Sequence, residues 1–120
     1  MGIQMDDNKV VQLGDRKNET KARVDLIPWD AIEELAEVYE YGANKYSDRN
    51  WEKGLEWNKG CAASLQRHLI EWGCGIDHDE ESGLPHDLHI AFNALALITF
   101  RLRQVGVDDR PTPYHTTEGS

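Results

Sequence analysis

The residue types that can do chemistry concentrate in one stretch of this 120-residue chain, GIDHDEESGLPHDLHIAFN at positions 75–93. Four acids fall within the five residues 77–81, and three of the chain's five histidines lie in the same stretch. Carboxylates and imidazoles are ligands for divalent metals, and both also transfer protons in general acid–base catalysis. The stretch therefore indicates a metal-assisted or acid–base site.

The segment that follows the acids predicts a helix with two different sides. His86, His89 and Asn93 are spaced by three and four residues, so a helix places them on one surface. Farther along that surface, Leu97 and Phe100 are apolar. A helix that is apolar on both sides is normally enclosed by neighbours, so we expect the polar trio to face an interior space. The predicted core stripe lies opposite and comprises Leu84, Leu88, Ala91, Leu95, Ile98 and Leu102.

The acidic run itself has three interpretations. Asp77, Asp79 and Glu81 alternate as in a calcium loop, but Ser82 stands where an EF-hand needs glycine, and Leu88 where it needs glutamate. These departures exclude an EF-hand. A solvated charged surface is the simpler interpretation, and a tight loop that binds a hard cation is the other.

Helical periodicity elsewhere predicts the elements that position this stretch. The first helix signal is IPWDAIEELAEVYEYGANKY, with Asp30 as the expected N-cap, and the second is CAASLQRHLIEWG, which carries His68 and Glu71 on one strip. The third helix is expected from near Leu84 to about Gln104. No segment alternates like a strand, so we predict a small all-α bundle. Its expected divisions are a flexible arm at 1–22, a helical catalytic domain at 23–104 and an irregular tail at 105–120.

Composition narrows the class of partner. The formal charge is −9 with no cluster of Lys and Arg, which disfavours a role in binding nucleic acid. A divalent cation can still join carboxylates to the phosphates of a small molecule. Neither a membrane span nor a signal peptide is evident, and Cys61 and Cys74 lack CxxC spacing. We therefore expect a cytoplasmic protein with free thiols and no membrane partner.

Six short motifs occur in the order DLIP, GAxKY, NWxxG, RHL, DxDxESG and HxxH. Over about residues 23–100 this combination resembles a family of phage and bacterial proteins identified as dATP/dGTP diphosphohydrolases, grouped with MazG-like all-α nucleotide pyrophosphohydrolases. The resemblance implies hydrolysis of a purine deoxynucleoside triphosphate to the monophosphate and pyrophosphate. It also implies Mg²⁺, with Mn²⁺ as the alternative, and a bundle completed in a homo-oligomer, a dimer or tetramer.

The chain departs from that family pattern at two places. Ile76 stands where an acidic residue commonly follows the glycine before DxDxESG. The MazG-like ExxE and ExxD pairs are replaced by His68-x-x-Glu71 and His86-x-x-His89. The layout is similar, but the ligand types differ.

Residues and resemblance together give one set of expected roles. The expected metal ligands are Glu71, Asp77, Asp79, Glu81, His86 and His89. The expected catalytic residues are His68, Glu71 and Glu81, with a carboxylate or His68 accepting the proton of the attacking water. The expected substrate-binding residues are Lys45, Tyr46, Asn50, Trp51, Arg67 and Asn93, with a tryptophan or tyrosine stacking on the base.

Alternatives of other classes stay open. An HD-type phosphohydrolase would use His68 and the His86-Asp87 pair and release inorganic triphosphate, although Asp87 lies off the strip shared by His86 and His89. A binding module would hold a nucleotide without turnover. In a purely structural interpretation, the histidines and acidic residues would only support assembly of the oligomer.

Overall fold

Three α-helices are the main elements of the structure, which confirms the all-α prediction. The computed structural model describes residues 14–15 and 20–111, and its helices are α1 (Trp29–Lys45), α2 (Ala63–Gly73) and α3 (His86–Arg103). Short 3₁₀ turns lie at Val24–Leu26 and Asn50–Lys53, and a π-helical turn at Trp57–Ala62 runs directly into α2. Across these described ranges, β pairing is limited to two isolated bridges.

α3 is the central element, because α1 and α2 both pack against it and not against each other. The prediction that the Leu84–Leu102 stripe forms its core side is wrong in the second half. Ile98 and Leu102 are exposed, whereas Ala96 and Phe100 are completely buried. The physical reason is that α2 covers the side that carries His86 and Asn93, and that side therefore becomes the more enclosed one.

Two small apolar clusters hold the helices together. The first joins α1 to the start of α3, and the second joins the π-helical turn to the end of α3. Each is completed by partly buried aromatic rings. The buried members are Leu35, Val38 and Leu88 in the first cluster, and Cys61, Ala96 and Phe100 in the second.

Helix ends differ from the sequence predictions by one or two residues. α1 starts one residue before Asp30, which accepts a hydrogen bond from the Ala31 N–H at 2.8 Å and does not act as N-cap. α3 starts at His86 because the Leu84 carbonyl accepts the Asp79 N–H at 2.8 Å, which closes the acidic connector into a turn. The connector is thereby tied to the first turn of α3.

The segment after α3 forms a strap, a short stretch hydrogen-bonded across the start of the π-helical turn. The Trp57 N–H donates to the Val107 carbonyl at 2.9 Å, and the Val107 N–H donates to the Leu55 carbonyl at 3.1 Å. Gly106 has φ 88°, and a Cβ at this position would lie 2.4 Å from the Leu55 oxygen, so only glycine fits. This strap belongs to the predicted tail, of which residues 112–120 lie outside the described range. Most of the predicted arm at 1–22 also lies outside it.

No helix in the described part of the chain combines the length and hydropathy that crossing a bilayer requires.

Candidate functional site

Side chains from three elements converge beside the first turn of α3. We call the group His68, Asp79, Ser82, His86 and His89 the histidine–aspartate cluster. His68 comes from α2, Asp79 and Ser82 from the acidic connector, and His86 and His89 from α3. The strip predicted from the spacing of His86 and His89 is therefore covered by a histidine of the neighbouring helix.

The closest contact in the cluster joins two imidazoles. His68 Nδ1 and His86 Nδ1 are 2.8 Å apart, and His86 is only 1% exposed. Two nitrogens at this distance need one proton between them, or a shared cation that both lone pairs contact. On the His68 ring, the His89 ring stacks with 4.5 Å between ring centroids and 5° between planes.

The second nitrogen of His86 meets a carboxylate. Glu71 Oε1 lies 2.8 Å from His86 Nε2, but away from the direction in which the ring N–H points, so this buried nitrogen has no aligned hydrogen bond. Glu71 is three residues after His68 on α2, and its side chain is half exposed. The arrangement resembles the carboxylate–histidine pairs that orient a metal-ligating imidazole from behind.

Asp79 and Ser82 form a tight polar turn in the connector. Asp79 Oδ2 accepts the Ser82 N–H and the Ser82 hydroxyl, each at 2.8 Å. Ser82 Oγ also lies 2.7 Å from His89 Nε2 and 3.2 Å from the Leu84 nitrogen. The connector therefore delivers one carboxylate and one hydroxyl to the histidines.

Electrostatics keep the cluster in a state suited to binding a cation. Burial is the main cause that lowers the pKa of both His68 and His89, so both rings are neutral at neutral pH. Burial alone would raise the pKa of Asp79, but the hydrogen bonds from Ser82 and the nearby imidazoles bring it below its ordinary value. His68 thus keeps a lone pair for a divalent metal beside the Asp79 carboxylate, and His89 keeps one that can accept a proton.

Three residues have donor atoms close enough to share one ion. His68, Asp79 and His86 each offer an atom within 4.8 Å of the others. Of the predicted metal ligands, this geometry brings together Asp79 and His86, with His89 adjacent. His68, which was expected to act in catalysis, joins the donor group.

The other predicted carboxylate ligands lie around the cluster. Asp77 is exposed and contributes its backbone carbonyl, which accepts the His86 N–H at 2.8 Å. Glu81 points to α1, where it accepts the Tyr41 hydroxyl at 3.0 Å and forms an ion pair with Lys45. The ion pair raises the pKa of Lys45 and lowers that of Glu81.

The predicted base-binding residues border a separate groove of about 840 Å³ between α1 and the Asn50–Lys53 turn. We call it the aromatic groove. Its lining includes Tyr46, Asn50, Trp51, Tyr39 and Phe92. The Trp51 ring packs at 5.7–5.9 Å from three other aromatic rings, so it acts as a packing residue as well as a wall.

The last two predicted substrate-binding residues lie elsewhere. Arg67 is exposed on α2 and is not part of the cluster. Asn93 is buried between α2 and α3, where its amide donates to the His89 carbonyl at 2.8 Å and to Ser64 Oγ at 3.3 Å. Asn93 thus holds the helix that carries the histidines.

Ser82 and Tyr41 belong to the site geometry but were not predicted from the sequence. The signal for Ser82 was the Asp-x-x-Ser spacing followed by glycine, which favours a turn closed by side chains. Tyr41 lies one helical turn before Lys45, and this i, i+4 spacing placed the two side chains on the same strip.

Fold and cluster together define an all-α protein with a metal-type donor set between its second and third helices. The family model described as "dATP/dGTP diphosphohydrolase, N-terminal" matches residues 12–110, and the chain belongs to this family. The motif-based resemblance is thereby confirmed.

A curated relative supports the same assignment. The chain is 33% identical over 97 residues to a protein of Salmonella phage PMBT28 named dATP/dGTP diphosphohydrolase. The match covers 81% of this chain but only 33% of the relative, so the chain spans about a third of the relative's length. No solved structure matches the chain.

Proposed function

We propose that the chain holds a divalent cation with His68, Asp79 and His86 and hydrolyses a purine deoxynucleoside triphosphate, dATP or dGTP, to the monophosphate and pyrophosphate. The observation that carries the proposal is the convergence of these three donors from α2, the connector and α3. Membership of the diphosphohydrolase family supports the substrate class.

The donor set bears on the choice of metal. Two imidazoles and one carboxylate suit Mn²⁺ or another first-row transition metal better than Mg²⁺, which prefers oxygen ligands. A divalent cation held here would supply positive charge to the triphosphate and lower the pKa of the attacking water. We therefore propose Mn²⁺ as the better cofactor and Mg²⁺ as the weaker one.

The residues around the donors have separate tasks. Glu71 would orient His86 from behind once the two groups align, because its carboxylate already lies 2.8 Å from the second ring nitrogen. His89, stacked on His68 but outside the donor group, accepts a proton from the attacking water. The water oxygen bonds to the α-phosphorus, the bond from that phosphorus to the bridging oxygen breaks, and pyrophosphate leaves. His89 thus takes the proton-accepting role first expected of His68.

Residues of α1 and of the turn after it are proposed to recognise the phosphates and the base of the substrate. Lys45 carries positive charge beside the connector and meets the phosphates after exchanging Glu81 for them. Glu81, once released from Lys45, would be available to a cation held by the cluster. Tyr46, Asn50 and Trp51 line the aromatic groove and are proposed to receive the purine, by stacking and by edge hydrogen bonds.

The test is product identification. The chain is incubated with each of the four dNTPs and GTP in Mg²⁺ or Mn²⁺, and the products are separated by anion-exchange chromatography. We expect pyrophosphate and monophosphate from dATP or dGTP, faster with Mn²⁺, and loss of turnover in His68→Ala. Glu80→Gln, an exposed change in the same connector, is the matched control.

The same assay separates the alternatives. Inorganic triphosphate as product would establish the HD-type reaction, which the exposed position of Asp87 disfavours. Tight dNTP binding without product at high enzyme concentration would establish a binding module.

We also propose a homo-oligomer, as the family resemblance implied. The described residues bury few apolar side chains, and α2 with its connector exposes a run of large ones, Leu69, Ile70, Trp72 and Ile76. A second copy that covers this surface removes it from water. Sedimentation should show a dimer or tetramer in the wild type and a smaller species in Ile70→Lys, whereas a wild-type monomer at all concentrations would exclude it.

A further inference from the structure

The hydrogen-bond pattern around Ser82 has a consequence for the protonation of His89. Ser82 Oγ has three polar neighbours, Asp79 Oδ2 at 2.8 Å, His89 Nε2 at 2.7 Å and the Leu84 nitrogen at 3.2 Å. A hydroxyl has one proton to donate and two lone pairs to accept with. Three neighbours saturate it only if one accepts and two donate.

The identity of the acceptor follows from the chemistry of the neighbours. The Leu84 N–H is a donor and has no other role. Asp79 is ionised at neutral pH, and an ionised carboxylate accepts but cannot donate. The Ser82 proton is therefore committed to Asp79, and the hydrogen bond to His89 must be donated by the ring.

We propose that Ser82 is a positioning residue that holds His89 as the Nε2–H tautomer, so that Nδ1 carries the free lone pair. This assignment rests on the proposed function for its catalytic meaning, because Nδ1 is then the atom that accepts the proton of the attacking water. In the opposite tautomer, His89 and Asp79 would compete for the single Ser82 proton, and two acceptors would be left in contact.

The surrounding contacts keep the ring in place on other sides. The His89 ring lies between His68, stacked at 4.5 Å, and Tyr41, edge-on at 6.3 Å. The Asn93 amide fixes the His89 carbonyl. Ser82 is therefore the group that sets the proton position of a ring whose orientation is already restrained.

The decisive experiment uses the metal-free wild-type chain, labelled with ¹⁵N, at about pH 8, where an ordinary imidazole is neutral. Long-range ¹H–¹⁵N correlation spectra identify which ring nitrogen carries the proton, and the His89 signals are those lost in His89→Gln. We expect a proton on Nε2 that exchanges slowly with water, because it is hydrogen-bonded. A proton on Nδ1, or a ring averaging between both tautomers, would overturn the assignment whatever the enzyme hydrolyses.

Variants then connect the tautomer to turnover. Ser82→Ala should make the Hε2 proton exchange rapidly and lower kcat by about tenfold or more, with KM little changed, because a general base contributes roughly 100–10,000-fold and its lone pair is no longer held in place. Ser82→Thr keeps the hydroxyl and should restore both the slow exchange and most of kcat. Thr99→Val is the matched control, since it removes a hydroxyl that bonds only within α3.

Metal affinity distinguishes whether the free lone pair of His89 accepts a proton or binds a metal. Mn²⁺ binding, followed by electron paramagnetic resonance, should be unchanged within about threefold in His89→Gln if His89 is the proton acceptor. Weakening by about tenfold or more would place His89 at the metal, as a ligand or as the partner of a ligand, and refute its assignment as acceptor. Absence of hydrolysis in the wild type, with the tautomer as expected, would instead refute the proposed function.

Discussion

The histidine–aspartate cluster and the aromatic groove lie on opposite flanks of α1 and are built in opposite ways. The cluster joins polar atoms from three elements at hydrogen-bonding distances. The groove is a space of about 840 Å³ with an aromatic floor and a polar rim. None of the cluster residues lines the groove. The proposed metal and phosphate chemistry would therefore depend on directed bonds, and the proposed base recognition on packed rings.

The side chains of α1 show how the cluster and the groove are separated. Tyr41 and Lys45 project from one flank to Glu81 of the connector. Ala36, Tyr39 and Ala43 project from the other flank into the groove. A substitution in one region should therefore affect a different measurable quantity from a substitution in the other, and the predictions below use that difference.

The largest effect is expected for Asp79→Asn. The amide keeps the size of the side chain but removes the negative charge from the donor group. Loss of several kcal/mol of metal-derived stabilisation corresponds to a fall in kcat/KM of roughly 100-fold or more. Steady-state kinetics with Mn²⁺ measure it, with Glu80→Gln as the control. Near-wild-type turnover would exclude Asp79 from the proposed metal site. It would also remove the contrast between a cluster that acts through directed bonds and a groove that acts through packed rings.

We expect mild acidification to lower the free energy of unfolding of the protein, through the histidines of the cluster and not through the residues of the groove. The pKa values of His68 and His89 are lowered in the folded chain, so between those values and about 6.5 the unfolded state binds more protons. Stability of the metal-free protein is then full above about pH 6.5 and is lost as the pH falls through the folded-state pKa values.

Urea denaturation at a series of pH values between about 8 and 5.5 measures this loss. The double variant His68→Gln/His89→Gln should flatten the curve. An unchanged slope in the double variant would place the titrating groups elsewhere.

The contrast between the regions also explains what the sequence could predict. His86, His89 and Asn93 were placed on one strip because a helix fixes the direction of side chains three and four residues apart. The closure of that strip by His68, eighteen residues earlier, was not predicted, although His68 was expected to act in catalysis. The Glu81–Lys45 pair and the aromatic floor of the groove depend on how α1 packs on α3, which short-range spacing does not determine.

The prediction of which α3 residues are buried was wrong in the second half of the helix for a related reason. Both sides of α3 are apolar in their second half, so periodicity alone did not say which side α2 would cover. Because α2 covers the histidine side, Phe100 is buried and Leu102 is exposed. Partner geometry, and not local sequence, decided between the two sides.

A moderate loss of stability is expected for Trp51→Ala in the groove. Trp51 contacts Tyr39, Phe92 and Phe100 edge-on or tilted, and its truncation leaves a cavity between the two apolar clusters. Full burial would give about 3–5 kcal/mol, and half-burial should reduce this to about 2–3 kcal/mol. Chemical denaturation measures the change, with the exposed Trp29→Ala as control. A change equal to that of the control would show that the floor of the groove is not held by packing.

The smallest effect, and the one that joins the two regions, is expected for Lys45→Met. Lys45 and Glu81 are both well exposed in their ion pair, so the melting temperature should stay within error of the wild type. KM for the triphosphate should rise several-fold, because the cation that would leave Glu81 for the phosphates is missing. Binding of the deoxynucleoside, which has no phosphate, should change little, since Lys45 is not a lining residue of the groove and contacts it through its ammonium group, 5.4 Å from the Tyr46 ring centroid. Equal weakening for nucleoside and triphosphate would mean that Lys45 acts on the groove, and that the two flanks of α1 are not independent.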